Sequence, residues 1–340
     1  MKFIVNFYKN SYPIIIQKGI LDKVNQYCSY YSKILIVTDS GVPQSYIKHL
    51  QTILPSAYLC VLKKGEKHKD KQSVQTILQV LLKHEFSRHD LILGFGGGVV
   101  LDISAFVASI YKRGIDFASI PTTLLAQVDS CVGGKNGINY DSFKNVIGTF
   151  YHPKFILIDS SLLNTLPKRQ WNNGLIETIK MGLIQDEELF HIISTQNVKE
   201  NIDFIIYRCL KNKVQIVKED LQDYKTRQIL NFGHTVGHAI ESYFHFRVYH
   251  GEAVAYGMLL ETKQKEIKEE LIKLYKKINL KKIPPFPLLS LESYFIQDKK
   301  RQKDKLILPQ LIQIGKSELV EMSFSDFLKQ IGDETNEQLF

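Results

Sequence analysis

The hydrophobic pattern changes character about midway along the chain. In the first part, short apolar runs at 3–7, 13–17, 33–38, 57–62, 90–93 and 117–120 read as strands, while 73–84 and 99–111 carry apolar residues at helical spacing. The run at 33–38, KILIVT, ends in Asp39-Ser40-Gly41, a turn, and 63–71, KKGEKHKDK, is a charged loop. Strands alternating with helices predict a doubly wound, mostly parallel α/β sheet. Beyond about residue 165, segments with a 3.6-residue period and charged faces take over, at 170–184, 187–194, 202–220, 229–244 and 252–278. This second half is expected to be mostly α-helical. The run Ile283-Pro284-Pro285-Phe286-Pro287 breaks it. A basic stretch at 298–305 precedes apolar runs at 306–308 and 311–314, and the last eight residues are expected to fray. The pattern divides the chain into domains at 1–160 and 161–340.

Composition narrows the class. A chain of 340 residues, 44% hydrophobic and 23% charged, has material for two ordinary globular domains. Residues 91–111 carry one charge, Asp102, but the glycines at 94 and 96–98 make the segment a strand, turn and helix rather than a membrane span. Four scattered cysteines form no C-x-x-C, and Lys2 is followed by only three apolar residues before Asn6. A reducing, cytoplasmic setting without a secretory leader is the expectation. The net charge is +9, of which residues 1–150 supply seven. That excess suits an anionic small substrate or a solvated lysine-rich face. Basic and aromatic residues do not interleave as in nucleic-acid binders, so neither nucleic acid nor membrane is an expected partner.

Candidate chemistry concentrates at 230–258, LNFGHTVGHAIESYFHFRVYHGEAVAYGM, which holds four of the ten histidines. His234 and His238 are four apart, hence on one helix face, and His250 opens a second helix start with Glu252 in its first turn. Two or three imidazoles with a carboxylate from elsewhere form a divalent-metal ligand set, while packed core histidines are the competing reading. Glycines at 233, 237, 251 and 257 tilt the choice toward a site, because glycine weakens a purely structural helix. Upstream, Gly94-Phe95-Gly96-Gly97-Gly98 joins a strand to a helix, where backbone amides welcome phosphate. It is not the G-x-G-x-x-G pattern, since Val99 stands at the third glycine. Thr122 and Thr123 follow the next strand at the same carboxyl edge. The segment 127–139, QVDSCVGGKNGIN, adds a polar loop carrying Asp129 and Lys135.

Taken in order, GGGVVLD (96–102), IPTTLLAQVDSCVGGKNGIN (120–139), KNVIGTFYHPKFILID (144–159), NGLIETIKMGLI (173–184), RQILNFGHTVGHAIE (227–241), HGEAVAYGM (250–258) and DKK (298–300) give the chain its likeness to known proteins. It resembles the 3-dehydroquinate synthases, NAD- and metal-dependent members of the sugar phosphate cyclase superfamily. The resemblance implies an NAD-binding α/β domain followed by a helical metal- and substrate-binding domain. Glu177, His234 and His250 match the family's ligands to one divalent ion, zinc or cobalt. His238 matches a histidine beside the substrate rather than a ligand. Glu66, Lys69, Gly97, Gly98, Val99, Asp102, Thr122, Thr123, Lys135 and Lys144 fall on or beside positions that hold NAD. Asp129, Lys135, Asn145, Lys180, Lys213, Arg227 and Asn231 match contacts to substrate and phosphate. Arg113 matches an arginine that reaches the neighbouring site of a homodimer, and Lys299 or Lys300 a phosphate-binding lysine.

The implied reaction converts 3-deoxy-D-arabino-heptulosonate 7-phosphate to 3-dehydroquinate by transient oxidation, phosphate elimination, re-reduction and intramolecular aldol closure. Leu101 stands where the family usually has glycine, Asn136 replaces a threonine, Asp223 a glutamate and Ile176 an alanine. Other readings on the same architecture are a valiolone-type cyclase and a metal-dependent polyol or glycerol-phosphate dehydrogenase. The intact DKK and KNVIGTFYHPK runs favour the dehydroquinate enzyme.

Overall fold

Strands with uninterrupted apolar sequence need cover on both faces, and the first half of the chain provides it. The computed structural model describes residues 1–7, 10–141, 143–245, 247–295 and 305–332. It forms two units, Met1–Pro167 and Lys168–Phe340. The first contains β1 (Lys2–Phe7), β2 (Asn10–Ile16), α1 (Val24–Cys28), β3 (Ile34–Asp39), α2 (Gln44–Ile53), β4 (Tyr58–Leu62), α3 (Lys71–Lys83), β5 (Leu91–Gly96), α4 (Gly98–Ile110), β6 (Asp116–Pro121), β7 (Lys135–Tyr140), β8 (Phe143–Phe150) and β9 (Ile156–Ile158). Seven strands make one sheet in the order β1-β2-β9-β6-β5-β3-β4, parallel except for the β1–β2 pair.

Strand periodicity sorts β5 between two cores. Leu91, Leu93 and Phe95 pack on one face with Ile36, Ala118 and Ile120, while Ile92 faces Leu35, Val37 and Phe117 on the other. The segment at 91–111 is the strand, turn and helix its glycines predict. Residues 127–139 are not one loop. A π-type turn at Ala126–Ser130 leads into β7, which pairs with β8 as a separate antiparallel hairpin.

The second unit contains α5 (Lys168–Gln185), α6 (Glu187–Thr195), α7 (Ile202–Glu219), α8 (His234–Tyr243), α9 (His250–Glu261), α10 (Lys265–Lys277), α11 (Glu292–Phe295), β10 (Lys305–Gln313), β11 (Lys316–Ser323) and α12 (Phe324–Ile331). Two expected helices are corrected. The helix read over 229–244 starts only at His234, because 226–231 is a 3₁₀ turn and Gly233 has a left-handed φ of 75°. The helix read over 252–278 is α9 and α10, parted at Thr262–Gln264 where the backbone is extended. The runs at 306–308 and 311–314 are one strand, β10, in a hairpin with β11. The expected fraying of the last eight residues falls outside the described residues.

Candidate active site

Glu177 lies on α5, buried with a side-chain exposure of 2%. Its Oε1 stands 3.5 Å from His234 Nε2 and 3.3 Å from His250 Nε2. A tetrahedral site with ligand bonds of about 2.0–2.1 Å has edges of about 3.3–3.4 Å, so these spacings suit a cation shared by the three. Glu177 Oε2 instead meets Lys180 Nζ at 2.6 Å. The two carboxylate oxygens therefore face different partners, and neither accepts a well-aligned hydrogen bond. The donor set, two imidazole nitrogens and one carboxylate oxygen, fits zinc or cobalt and leaves coordination open.

Both rings are aimed through their other nitrogen. His234 Nδ1 lies 3.0 Å from the Phe232 carbonyl, to which it donates as Nδ1–H, leaving the Nε2 lone pair toward Glu177. Burial, reinforced by Lys180, pushes the His234 pKa down to about 3, so the ring stays neutral and able to donate that pair. Burial alone would lower His250 too, but Glu241 and Glu177 outweigh it and raise the ring to about 10. For Glu177, burial opposes ionisation, yet Lys180, His234 and His250 hold it well below the usual carboxylate range.

The helices that carry these residues cap one another. Gly233 cannot cap α8 with a side chain, and Glu261 at the end of α9 does so instead, accepting from Gly233 N at 2.6 Å and Val236 N at 3.2 Å. Asn173, one turn before Glu177, accepts from Gly251 N at the start of α9 through Oδ1. Glu252 turns back onto Tyr249 N at 3.1 Å and accepts from Arg169 Nε and Nη2 at 2.6 and 2.8 Å. The four glycines that suggested a site have a packing role. A Cβ at Gly257 would sit 2.0 Å from the Gly233 carbonyl, at Gly251 2.5 Å from the Asn173 carbonyl, and at Gly237 3.1 Å from Val254 Cα.

Other expected residues in this unit gather unevenly. His238 is exposed, its ring centroid 5.3 Å from that of His234 and 5.8 Å from that of His250. It does not join the Glu177 group but forms a second potential ligand cluster with Glu241 and His250. Lys180 is buried and donates to the Leu230 carbonyl at 2.8 Å as well as pairing with Glu177. Asn231 Nδ2 is buried with no hydrogen-bond partner among the described residues. Lys213 is buried, as is Arg227, which donates to the Leu221 carbonyl at 2.9 Å. The Asp220 carboxylate accepts the Tyr224, Lys225 and Arg227 backbone amides. Lys299 and Lys300 lie outside the described residues.

In the first unit, most of the expected dinucleotide residues follow the carboxyl ends of β4, β5 and β6, the edge at which open α/β sheets bind ligands, whereas Lys135 and Lys144 lie on the β7–β8 hairpin. Gly97 is the N-cap of α4, so the amides of Gly98, Val99 and Val100 lack acceptors within the helix. A Cβ on Gly97 would approach Thr123 Cγ2 at 3.1 Å, and one on Gly98 the Ser130 hydroxyl at 3.0 Å. The Thr122 amide bonds the Gly96 carbonyl at 2.9 Å, and Thr123 Oγ1 accepts the Ala126 amide at 3.2 Å. Buried Lys69 bridges Asp102 Oδ2 and Asn145 Oδ1, both at 2.5 Å. Burial would lower the Lys69 pKa, but Asp102 and Glu66 raise it overall. Asn139 ties the β7–β8 hairpin to this group by donating to Glu66 Oε1 at 2.9 Å. Asp129 and Lys144 are half-buried, and Lys135 and Arg113 are exposed. Leu101 points into the core rather than at the glycine turn. A Cβ on Gly94 would meet Leu101 Cδ2 at 3.1 Å, so glycine on the strand makes room for leucine on the helix.

Sequence reading missed Asn173, Glu241 and Glu261. A signal existed for Glu241, which lies seven residues after His234 and thus on the same helix face. The partners of Asn173 and Glu261 are distant in sequence and gave none.

Comparison with known proteins covers both units. Residues 59–173 match the family described as 3-dehydroquinate synthase N-terminal, and residues 174–301 match 3-dehydroquinate synthase C-terminal. The chain is 44% identical over 269 residues to 3-dehydroquinate synthase of Alkaliphilus metalliredigens (strain QYMF), covering 76% of each chain. It is 37% identical to that of Clostridium tetani (strain Massachusetts / E88), covering 96% of this chain and 93% of the other. Among solved structures, 2-deoxy-scyllo-inosose synthase complexed with carbaglucose-6-phosphate, NAD+ and Co2+ superposes with a TM-score of 0.84 at 26% identity, covering 97% of this chain and 99% of that one.

Proposed function

The chain belongs to the 3-dehydroquinate synthase family, and from that premise we propose that it converts 3-deoxy-D-arabino-heptulosonate 7-phosphate to 3-dehydroquinate and phosphate, acting as a carbon–oxygen lyase that uses NAD catalytically. The observation that carries this reading is the buried Glu177 carboxylate facing two imidazoles in a chain that matches both halves of the family. When bound, a divalent zinc or cobalt ion supplies a Lewis acid and NAD a reversible hydride acceptor.

The residues divide the remaining work. Glu177, His234 and His250 hold the cation. The first-turn amides at Gly98 and Val99, with Gly97, Thr122 and Thr123, border the dinucleotide, and Glu66, Lys69, Asp102 and Lys144 fix its polar groups. The substrate carries a phosphate and a carboxylate. Lys135, Lys180, Lys213 and Arg227 meet those charges, with Lys299 or Lys300 on the phosphate. Asp129 and Asn145 bind hydroxyls. His238, exposed beside the histidine cluster, moves protons at its ring nitrogens, and Asn231 offers the amide N–H₂ that has no acceptor among the described residues.

The chain is also read as half of a homodimer, with Arg113 extending toward the second copy's site. Phe143, Val146, Ile147 and Phe150 of β8 are exposed, and Tyr140 of β7 pairs with Phe143, apolar side chains of the kind a second copy covers. None of the four cysteines is in a disulfide, which fits the reducing cytoplasm in which we place the reaction; cell fractionation would report it.

The test is turnover with NAD limiting. Phosphate release should match the heptulosonate consumed, with no NADH accumulating at 340 nm and 3-dehydroquinate as the carbon product. Stoichiometric NADH without phosphate would make the protein a dehydrogenase. Turnover of sedoheptulose 7-phosphate in place of the heptulosonate would make it a different cyclase.

A further inference from the structure

Glu241 is a buried carboxylate, 3% exposed, to which neither the family resemblance nor the reaction assigned a role. It lies on α8, two helical turns after His234, so one face of that helix presents both side chains. Between them stands the His250 ring, contributed by α9. Its Nδ1 is 3.2 Å from Glu241 Oε2, and its Nε2 is 3.3 Å from Glu177 Oε1. Glu241 therefore grips the edge of the ring opposite the one facing Glu177. His234 has an equivalent support from the Phe232 carbonyl.

We propose that Glu241 is a positioning residue of the metal centre, accepting the Nδ1–H of His250 and so fixing the tautomer and the aim of Nε2. An imidazole that rotates freely, or that carries its proton on Nε2, cannot offer that lone pair to a cation. A carboxylate on Nδ1 removes both faults and makes the ring a stronger donor. The same carboxylate also belongs to a second cluster, with His238 and His250, whose ligand atoms lie within 4.8 Å of one another. The two roles compete for one atom, because Nδ1 cannot both donate a hydrogen bond to Glu241 and bind a second ion. The geometry favours the first role, since Glu241 is buried against His250 while His238 is exposed.

This inference rests on the assignment of Glu177, His234 and His250, and the experiment separates the two. Co2+ is titrated into the chelator-stripped full chain, wild type, Glu241→Gln and Glu241→Leu, against a competing chelator, and the visible d–d bands are recorded. The wild type should bind one ion. Glu241→Leu should bind one ion roughly 10–100-fold more weakly, with altered band positions. Glu241→Gln, which keeps an acceptor oxygen in nearly the same shape, should lose less and shift the bands less. Urea unfolding of the stripped proteins reads any purely structural effect separately, and Glu241→Gln serves alone if the leucine variant does not fold. Wild-type affinity and spectrum in the folded variants would overturn the positioning role and leave the ligand assignment intact. Two ions in the wild type, with one retained at full affinity in Glu241→Leu, would overturn it in favour of a second metal site. A wild type that binds no ion would overturn both readings.

Discussion

At the scale of single residues, small changes in shape and charge decide what the chain can build. Gly257 lets α8 and α9 meet backbone to backbone, and a methyl group there would overlap the Gly233 carbonyl. Gly94 and Leu101 show the reverse trade, a vacancy on the strand filled from the helix. Asp186 shows charge at work. It caps α6 through the Leu189 amide and takes hydrogen bonds from Arg208 at 2.6 and 2.9 Å and from Asn212 at 2.6 Å. Burial would raise its pKa, but these bonds together lower it below the ordinary 3.8. The unfolded chain therefore binds the proton more readily. The stabilisation is complete above the unfolded pKa and is lost as pH falls through the lower folded value. Asp186→Asn should cost about 1–3 kcal/mol near neutral pH. In urea melts of both proteins, the difference should stay level from about pH 8 to 5 and shrink below about pH 4. A difference that grew toward low pH would contradict the assignment.

At the scale of elements, the histidine-bearing helices depend on caps supplied by other helices. Glu261 satisfies two amides in the first turn of α8, the turn that contains His234. Glu261→Gln leaves one oxygen where two are used and turns an N–H₂ group toward an N–H. It should destabilise the protein by about 1–3 kcal/mol, read as a lower urea midpoint at unchanged slope. An unchanged midpoint would mean that water or another group serves those amides. The same interactions explain which elements could be read from sequence. Strands β3, β5 and β6 announce themselves because a parallel strand is apolar on both faces, and α6 and α7 because one face is polar. The break before His234 was hidden by apolar periodicity that runs through Phe232 and Gly233, and the break at Thr262 by a pattern that continues into α10. The β7–β8 hairpin is hidden in the sequence because its strand residues, such as Lys135, Asn136, Lys144 and Asn145, are polar and most of its apolar side chains lie exposed, Ile138 alone among them reaching the core. Among site residues, the histidines and the glycine turn are legible as motifs, and Glu177 only through the family resemblance. Their second partners were not, since Asn173 and Gly251 are 78 residues apart and become neighbours only on folding.

At the scale of the whole molecule, the first unit carries donor amides and a lysine–aspartate pair at a sheet edge, and the second a buried carboxylate facing two imidazoles. Among the described residues, no helix is long and apolar enough to cross a membrane. The exposed apolar side chains of β8 should bring two chains together. Light scattering should give the mass of a dimer for the wild type, and Ile147→Glu with Phe150→Glu should shift it toward the monomer; a monomeric wild type would refute the homodimer. The central claim, that Glu177, His234 and His250 hold the one ion on which turnover depends, is tested most directly by phosphate release from 3-deoxy-D-arabino-heptulosonate 7-phosphate in chelator-stripped wild type and His250→Ala, with zinc or cobalt added back. Stripped wild type should be idle and recover with about one equivalent of metal. His250→Ala, folded by its urea midpoint, should stay more than about a hundredfold slower at the same metal concentration, since loss of a mere orienting partner already costs about 10–100-fold. Full release by the stripped wild type, or by His250→Ala, would contradict it.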